Sequence, residues 1–185
     1  LLTKKGISTD DKSVAFLVLG KSQQANNDCA AAITSFRSCA AINKSAWGAE
    51  ARYEIANCQF TTANLIAAEK SALAVIKETG SYDNWVTKSY ILLGDIFMQQ
   101  KDYFNAKATY ESVAKNAVIV ELSQEARQKL DKAVEEEKAV NVSDVITSEH
   151  RDIAHPVTQQ FRESLQNKVL EAFKKEVFAL TRKKR

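Results

Sequence analysis

Proline occurs once in this 185-residue chain and glycine five times. β-Sandwiches and barrels need such residues at their many turns, so the scarcity argues against both and for long helices. No run of 18 apolar residues exists, which leaves no candidate membrane-spanning helix. Lys4 and Lys5 are not followed by an apolar segment, so the opening stretch does not read as a secretory leader. There are only two histidines, His150 and His155, five apart and unable to share a helix face. The three cysteines, Cys29, Cys39 and Cys58, form no Cys-x-x-Cys pair, so neither a zinc site nor a disulfide framework is expected. They read as free thiols used as small hydrophobes. Reduced thiols fit a cytoplasmic location, or a periplasmic one if a leader lies upstream of this stretch.

Catalytic signatures are missing too. The chain holds no Gly-x-Gly-x-x-Gly, no Gly-x-x-x-x-Gly-Lys-Ser/Thr loop, no Gly-x-Ser-x-Gly and no His-Glu-x-x-His. The expectation is a protein that is not an enzyme, with no cofactor and no metal. Its 45% hydrophobic and 26% charged residues are those of an ordinary globular domain.

What is present is a repeated packing code. In Tyr90-Ile-Leu-Leu-Gly-Asp-Ile-Phe97 a large apolar residue precedes Leu93-Gly94, Ala106 follows twelve residues after the glycine, and Tyr110 four after that. Phe16, Leu19-Gly20, Ala32, Phe36 and Cys39-Ala40 hold the same positions in an earlier copy, matching Tyr90, Leu93-Gly94, Ala106, Tyr110 and Val113-Ala114. A weaker copy between them has Ile55-Ala56, Ala68, Ala72 and Val75. The copies are 36 and 38 residues apart, while the interval of twelve inside each is constant. Small residues at a fixed offset let two antiparallel helices approach closely, and the aromatics plug the gap.

The spacing predicts helix hairpins over about 11–42, 46–79 and 83–117. Asp10 or Asp11 is the candidate first N-cap, Asn26-Asn27-Asp28 and Lys101-Asp102 the turns, and Gly80 a C-cap signal. A charged helix over about 121–139, ending in Glu135-Glu136-Glu137-Lys138, reads as the polar cap that a repeat array needs at its end. Residues 140–149 read as a linker, and 150–185 as a basic segment with one helix over about 159–182.

This pattern resembles the tetratricopeptide (TPR) repeat over roughly residues 11–139. The resemblance implies an all-α fold, a right-handed superhelix of antiparallel hairpins with a capping helix and a further C-terminal helix. It also implies a non-catalytic scaffold that binds a peptide or partner protein in a concave groove lined by the first helix of each hairpin. The residues at groove positions are Lys21 and Gln24, then Tyr53, Asn57 and Phe60, then Lys88, Asp95, Met98 and Gln99. Tyr53, Phe60 and Met98 would supply an apolar floor. The family's carboxylate clamp is incomplete: Asn57 and Lys88 match it, but Leu17 and Leu92 stand where basic residues belong. Binding of an acidic chaperone tail is therefore disfavoured.

The C-terminal segment carries a second resemblance. His150-Arg-Asp-Ile-Ala-His-Pro156, followed by Val-Thr-x-x-Phe-Arg-x-x-Leu-x-x-x-Val-Leu-x-x-Phe, is similar to the C-terminal part of the bacterial SpoVG regulators, without the strands that should precede it. Nine Lys/Arg stand against four Asp/Glu from His150 on. The alternative function is thus nucleic-acid-associated regulation through Arg151, Arg162, Lys174, Lys175, Arg182, Lys183, Lys184 and Arg185. The stripe Phe161, Leu165, Val169, Phe173, Val177 and Leu180 is a packing face that invites self-association.

Overall fold

The computed structural model describes residues 6–42, 44–79 and 83–147, with side chains as far as Val140. It consists of helices α1 (Thr9–Ala25), α2 (Cys29–Ile42), α3 (Ala46–Thr61), α4 (Leu65–Glu78), α5 (Asp83–Gln99), α6 (Tyr103–Asn116) and α7 (Val120–Thr147). No strand occurs among the described residues. None of the described helices is long and apolar enough to cross a membrane. The chain divides into two compact units between Asp131 and Lys132.

In the first unit the helices pair into three hairpins joined by turns of one design. Asn27, Ala63 and Lys101 each adopt a left-handed backbone, with φ of 60°, 57° and 60°. Each donates its N–H three residues back, to Gln24, Phe60 or Met98. The next residue donates five back, to Gln23, Gln59 or Phe97, over 2.8–2.9 Å. This Schellman arrangement closes the first helix. That next residue then starts the second helix: Asp28, Asn64 and Asp102 accept side-chain caps from the amides of Ala31, Ala67 and Asn105. The constant interval of twelve follows from this shared turn. At the entry to α1 the cap is Ser8 rather than Asp10 or Asp11. Its Oγ accepts from the Asp11 amide and donates 2.7 Å to the Asp11 carboxylate. The hydroxyl thus satisfies one free amide of the first turn and orients the carboxylate of the same residue. At the end of α4 the cap is Thr79, and Gly80 lies outside the described residues.

Close approach inside the hairpins follows the small-residue code. A Cβ at Gly20 would stand 2.5 Å from Cε1 of Phe36, and one at Gly94 would stand 2.8 Å from Cδ1 of Tyr110. In the middle hairpin Ala56 and Ala72 hold these two positions, both fully buried, so the space of one ring is shared by two methyls.

Consecutive helices pack against each other throughout α1 to α6. α3 also contacts α1 and α5, whereas the even-numbered helices make no comparable contact with one another. The odd helices therefore lie closer together and form the inner layer. One core cluster joins the first hairpin to α3, through Leu17, Cys29, Ala32, Phe36, Cys39, Ala51 and Cys58. A second joins α3 and α4 to α5, through Ala56, Ala68, Ala72, Leu92 and Ile96.

The start of α7 covers the third hairpin. Leu122 and Ala126 are buried, and Ser123 Oγ donates 2.8 Å to the carbonyl of Ala114 near the end of α6. In the second unit α7 continues, with an i,i+4 pair between Lys132 and Glu136 at 3.7 Å. It runs on to Thr147, through positions where the sequence reads as a linker. Val140, Val142, Val145 and Ile146 are only slightly poorer helix formers than straight-chain residues, and an existing helix gains one hydrogen bond for each residue it adds.

Candidate functional site

The inner layer carries a small hollow, about 140 Å³, between α3, α5 and the start of α7. Tyr53, Asn57, Phe60, Lys88, Ile91, Leu92, Asp95 and Glu125 line it. Its apolar floor exists because Tyr53 and Phe60 lean on the core cluster that α5 shares with the middle hairpin. Each of these rings is half-buried, so it serves the core and the surface together.

The polar groups are held in place. The Tyr53 ring lies 5.5 Å from that of Trp85, tilted by 38°, and Lys88 Nζ stands 4.8 Å over the Trp85 ring. Glu54 accepts from Gln24 Nε2 at 3.0 Å and from Asn57 Nδ2 at 3.2 Å. Asp95 accepts from the Tyr110 hydroxyl at 2.5 Å and from Lys129 Nζ at 2.7 and 2.8 Å. Burial raises the Tyr53 hydroxyl above the ordinary tyrosine value, and the charges of Glu54, Glu125 and Asp95 add to the effect. The phenol stays neutral and available as a hydrogen-bond donor.

Of the nine groove residues read from the sequence, Tyr53, Asn57, Phe60, Lys88 and Asp95 meet at this hollow. Gln24 reaches its edge through Glu54. Lys21 pairs instead with Glu50. Met98 is half-buried and Gln99 exposed, and neither lines the hollow. Leu17 and Leu92, at the clamp positions, are core residues. Arg151, Arg162, Lys174, Lys175, Arg182, Lys183, Lys184 and Arg185, together with both histidines and the stripe from Phe161, lie outside the described residues.

Sequence reading missed Trp85, Glu54, Ile91 and Glu125. Trp85 had a signal, since Trp47 stands 38 residues before it at the same repeat position. Glu125 had none, because only the packing of α7 on the third hairpin brings it here. At about 140 Å³ the hollow is smaller than the roughly 300–1,000 Å³ of small-molecule sites and suits a single side chain. Among the described residues no group of three or more metal-ligating side chains is assembled.

No family model matches this chain, and no curated protein matches it. Its fold is similar to that in the crystal structure of BtubC (BKLC) from P. vanneervenii, with a TM-score of 0.57 at 14% identity, covering 83% of this chain and 71% of that one.

Proposed function

We propose that this chain is a non-catalytic interaction scaffold of TPR type, which takes an extended segment of a partner protein along its inner layer. The observation that supports it is the hollow between α3 and α5, where five of the expected groove residues converge around an apolar floor. One partner side chain would rest on Tyr53 and Phe60. Asn57 and Lys88 would meet the backbone or polar groups of the same segment, because an amide and an ammonium at the rim of an apolar hollow fix register and direction. The partner segment is not an acidic tail, since the two remaining clamp positions hold the core residues Leu17 and Leu92.

The test is capture from a displayed library of extended peptides by the full chain, repeated with Asn57→Ala, Lys88→Ala and the double variant. Enriched sequences should lose at least about tenfold in affinity in the double variant. Enrichment that is indifferent to both substitutions would overturn the reading. The nucleic-acid alternative draws on the charge of residues 150–185 alone. A gel shift with the full chain that weakens steeply with salt would favour it.

A further inference from the structure

Helix α1 turns outward a stripe that its two counterparts bury. Along the repeat, Ala15, Leu19 and Ser22 correspond to Ala51, Ile55 and Cys58 on α3 and to Ser89, Leu93 and Ile96 on α5. Ala51 and Cys58 are fully buried, and Ile55 packs against the core between the first hairpin and α3. Ser89, Leu93 and Ile96 are likewise fully buried. On α1, by contrast, Leu19 is 43% exposed, Ser22 is exposed, and Val18 beside them is 59% exposed. With Asp11, Val14 and Ala15 they line one shallow hollow.

We propose that this face of α1 is a docking site for a helix hairpin of another protein, seated as the first hairpin sits on α3 and the middle hairpin on α5. The face continues an interface that the chain already makes twice. In both instances the receiving helix touches the two helices of a hairpin, as α3 touches α1 and α2, so the occupant is a pair of helices and not a single one. Among its described residues a second copy of this chain has no such groove to offer. Its first two hairpins are filled by α3 and α5, and its third is covered by the start of α7 through Leu122, Ala126 and Ser123. The chemistry of the partner groove follows from the two that are filled. Alanine- and cysteine-sized residues make part of the floor, as Cys29, Ala32 and Cys39 do in one cluster and Ala68 and Ala72 in the other, beside the larger Leu17 and Phe36 in the first and Tyr53, Phe60 and Leu65 in the second.

The probe is a hairpin of known shape: residues 46–81 joined ahead of Ser8 of the full chain, which places the middle hairpin before α1 as it stands before α5. The covalent link supplies a high effective concentration. Amides of Ala15 to Ser22 should exchange with solvent at least about tenfold more slowly than in the chain without the extension. Ser22→Arg should remove that protection while leaving the unextended chain unchanged in its urea melt. Val14→Lys should preserve it, because Lys88 occupies that register on α5. The proposal falls if the extension adds no protection, or if Ser22→Arg leaves the protection intact. It also falls if the unextended chain sediments as a dimer that Ser22→Arg dissolves, since the occupant would then be a second copy.

Discussion

The ring of Tyr110 fills the space that a side chain at Gly94 would need, and its hydroxyl donates a 2.5 Å hydrogen bond to Asp95, the residue next to that glycine. One tyrosine thus sets how closely α5 and α6 approach and also holds a carboxylate at the edge of the hollow. Lys129 of α7 grips the same carboxylate at 2.7 Å. Packing inside the hairpin, the seating of α7 and the shape of the candidate site meet at this point.

Gly94→Leu should therefore overpack the third hairpin and cost about 1–3 kcal/mol in urea melts. A Cβ alone already meets the ring at less than ordinary contact distance, so Gly94→Ala should destabilise as well. The damage from Gly94→Ala should shrink in a Tyr110→Ala background, where the ring is gone. Lys70→Leu, at an exposed site on α4, should cost about 0.5 kcal/mol or less. Equal costs at positions 94 and 70 would refute the register.

Tyr110→Phe keeps the ring and removes the bond to Asp95, with an expected cost of about 1 kcal/mol. Asp95 and Lys129 are both partly buried, so Lys129→Met should cost about 0.5–1 kcal/mol and speed amide exchange at the start of α7. A double-mutant cycle between Tyr110→Phe and Lys129→Met should show coupling, because both donors share one acceptor. Strict additivity would mean that the shared carboxylate does not link α6 to α7.

The hairpins were legible because their determinants are local and repeat: a small residue, an interval of twelve, an aromatic. Features set by contacts far apart in sequence were not. Lys129 lies 34 residues from Asp95, and no pattern pairs them before α7 packs on the third hairpin. The cap at Ser8 was misassigned because Asp10 and Asp11 are equally good caps by residue type, and only the backbone path chooses among them. The end of α7 was misplaced because residues 141–147 lack a helical apolar period, although a helix needs none to persist over a few turns. Of the site, Tyr53, Asn57, Phe60, Lys88 and Asp95 were readable from repeat positions. Glu54 was not, since its place is set by the amides of Gln24 and Asn57.

The hairpin turns make a prediction of their own. Ala63 and Lys101 sit at φ of 57° and 60°, where a Cβ crowds the following carbonyl at about 1–2 kcal/mol. Ala63→Gly and Lys101→Gly should each raise stability by about 0.5–1 kcal/mol, once the greater freedom of glycine in the unfolded chain is deducted. Asn27 adopts the same backbone, but asparagine tolerates it, so Asn27→Gly should change little. Urea midpoints for the three variants check this, and a loss of stability at position 63 would contradict the shared turn geometry.

The buried thiols extend the argument to pH. Cys58 lies in the core between the first hairpin and α3, where burial raises its thiol from the ordinary 9.0 to about 12, helped by a hydrogen bond with Cys29. Burial raises Cys39 in the same direction, with a smaller push from Glu50. A raised folded value means that the folded chain keeps a proton which the unfolded chain gives up. The contribution of Cys58 to stability is whole below 9.0 and is lost as pH climbs from there through about 12. Cys58→Ala should cost stability at pH 7 through the space it leaves. Its stability should then fall less steeply than that of the parent chain between pH 9 and pH 11. At pH 8 a thiol reagent should leave Cys39 and Cys58 unlabelled in the folded protein and reach all three cysteines in denaturant, since the thiolate is the reactive form and burial suppresses it. Rapid labelling of Cys58 without denaturant would show that the interface between the first two hairpins opens far more readily than its packing implies.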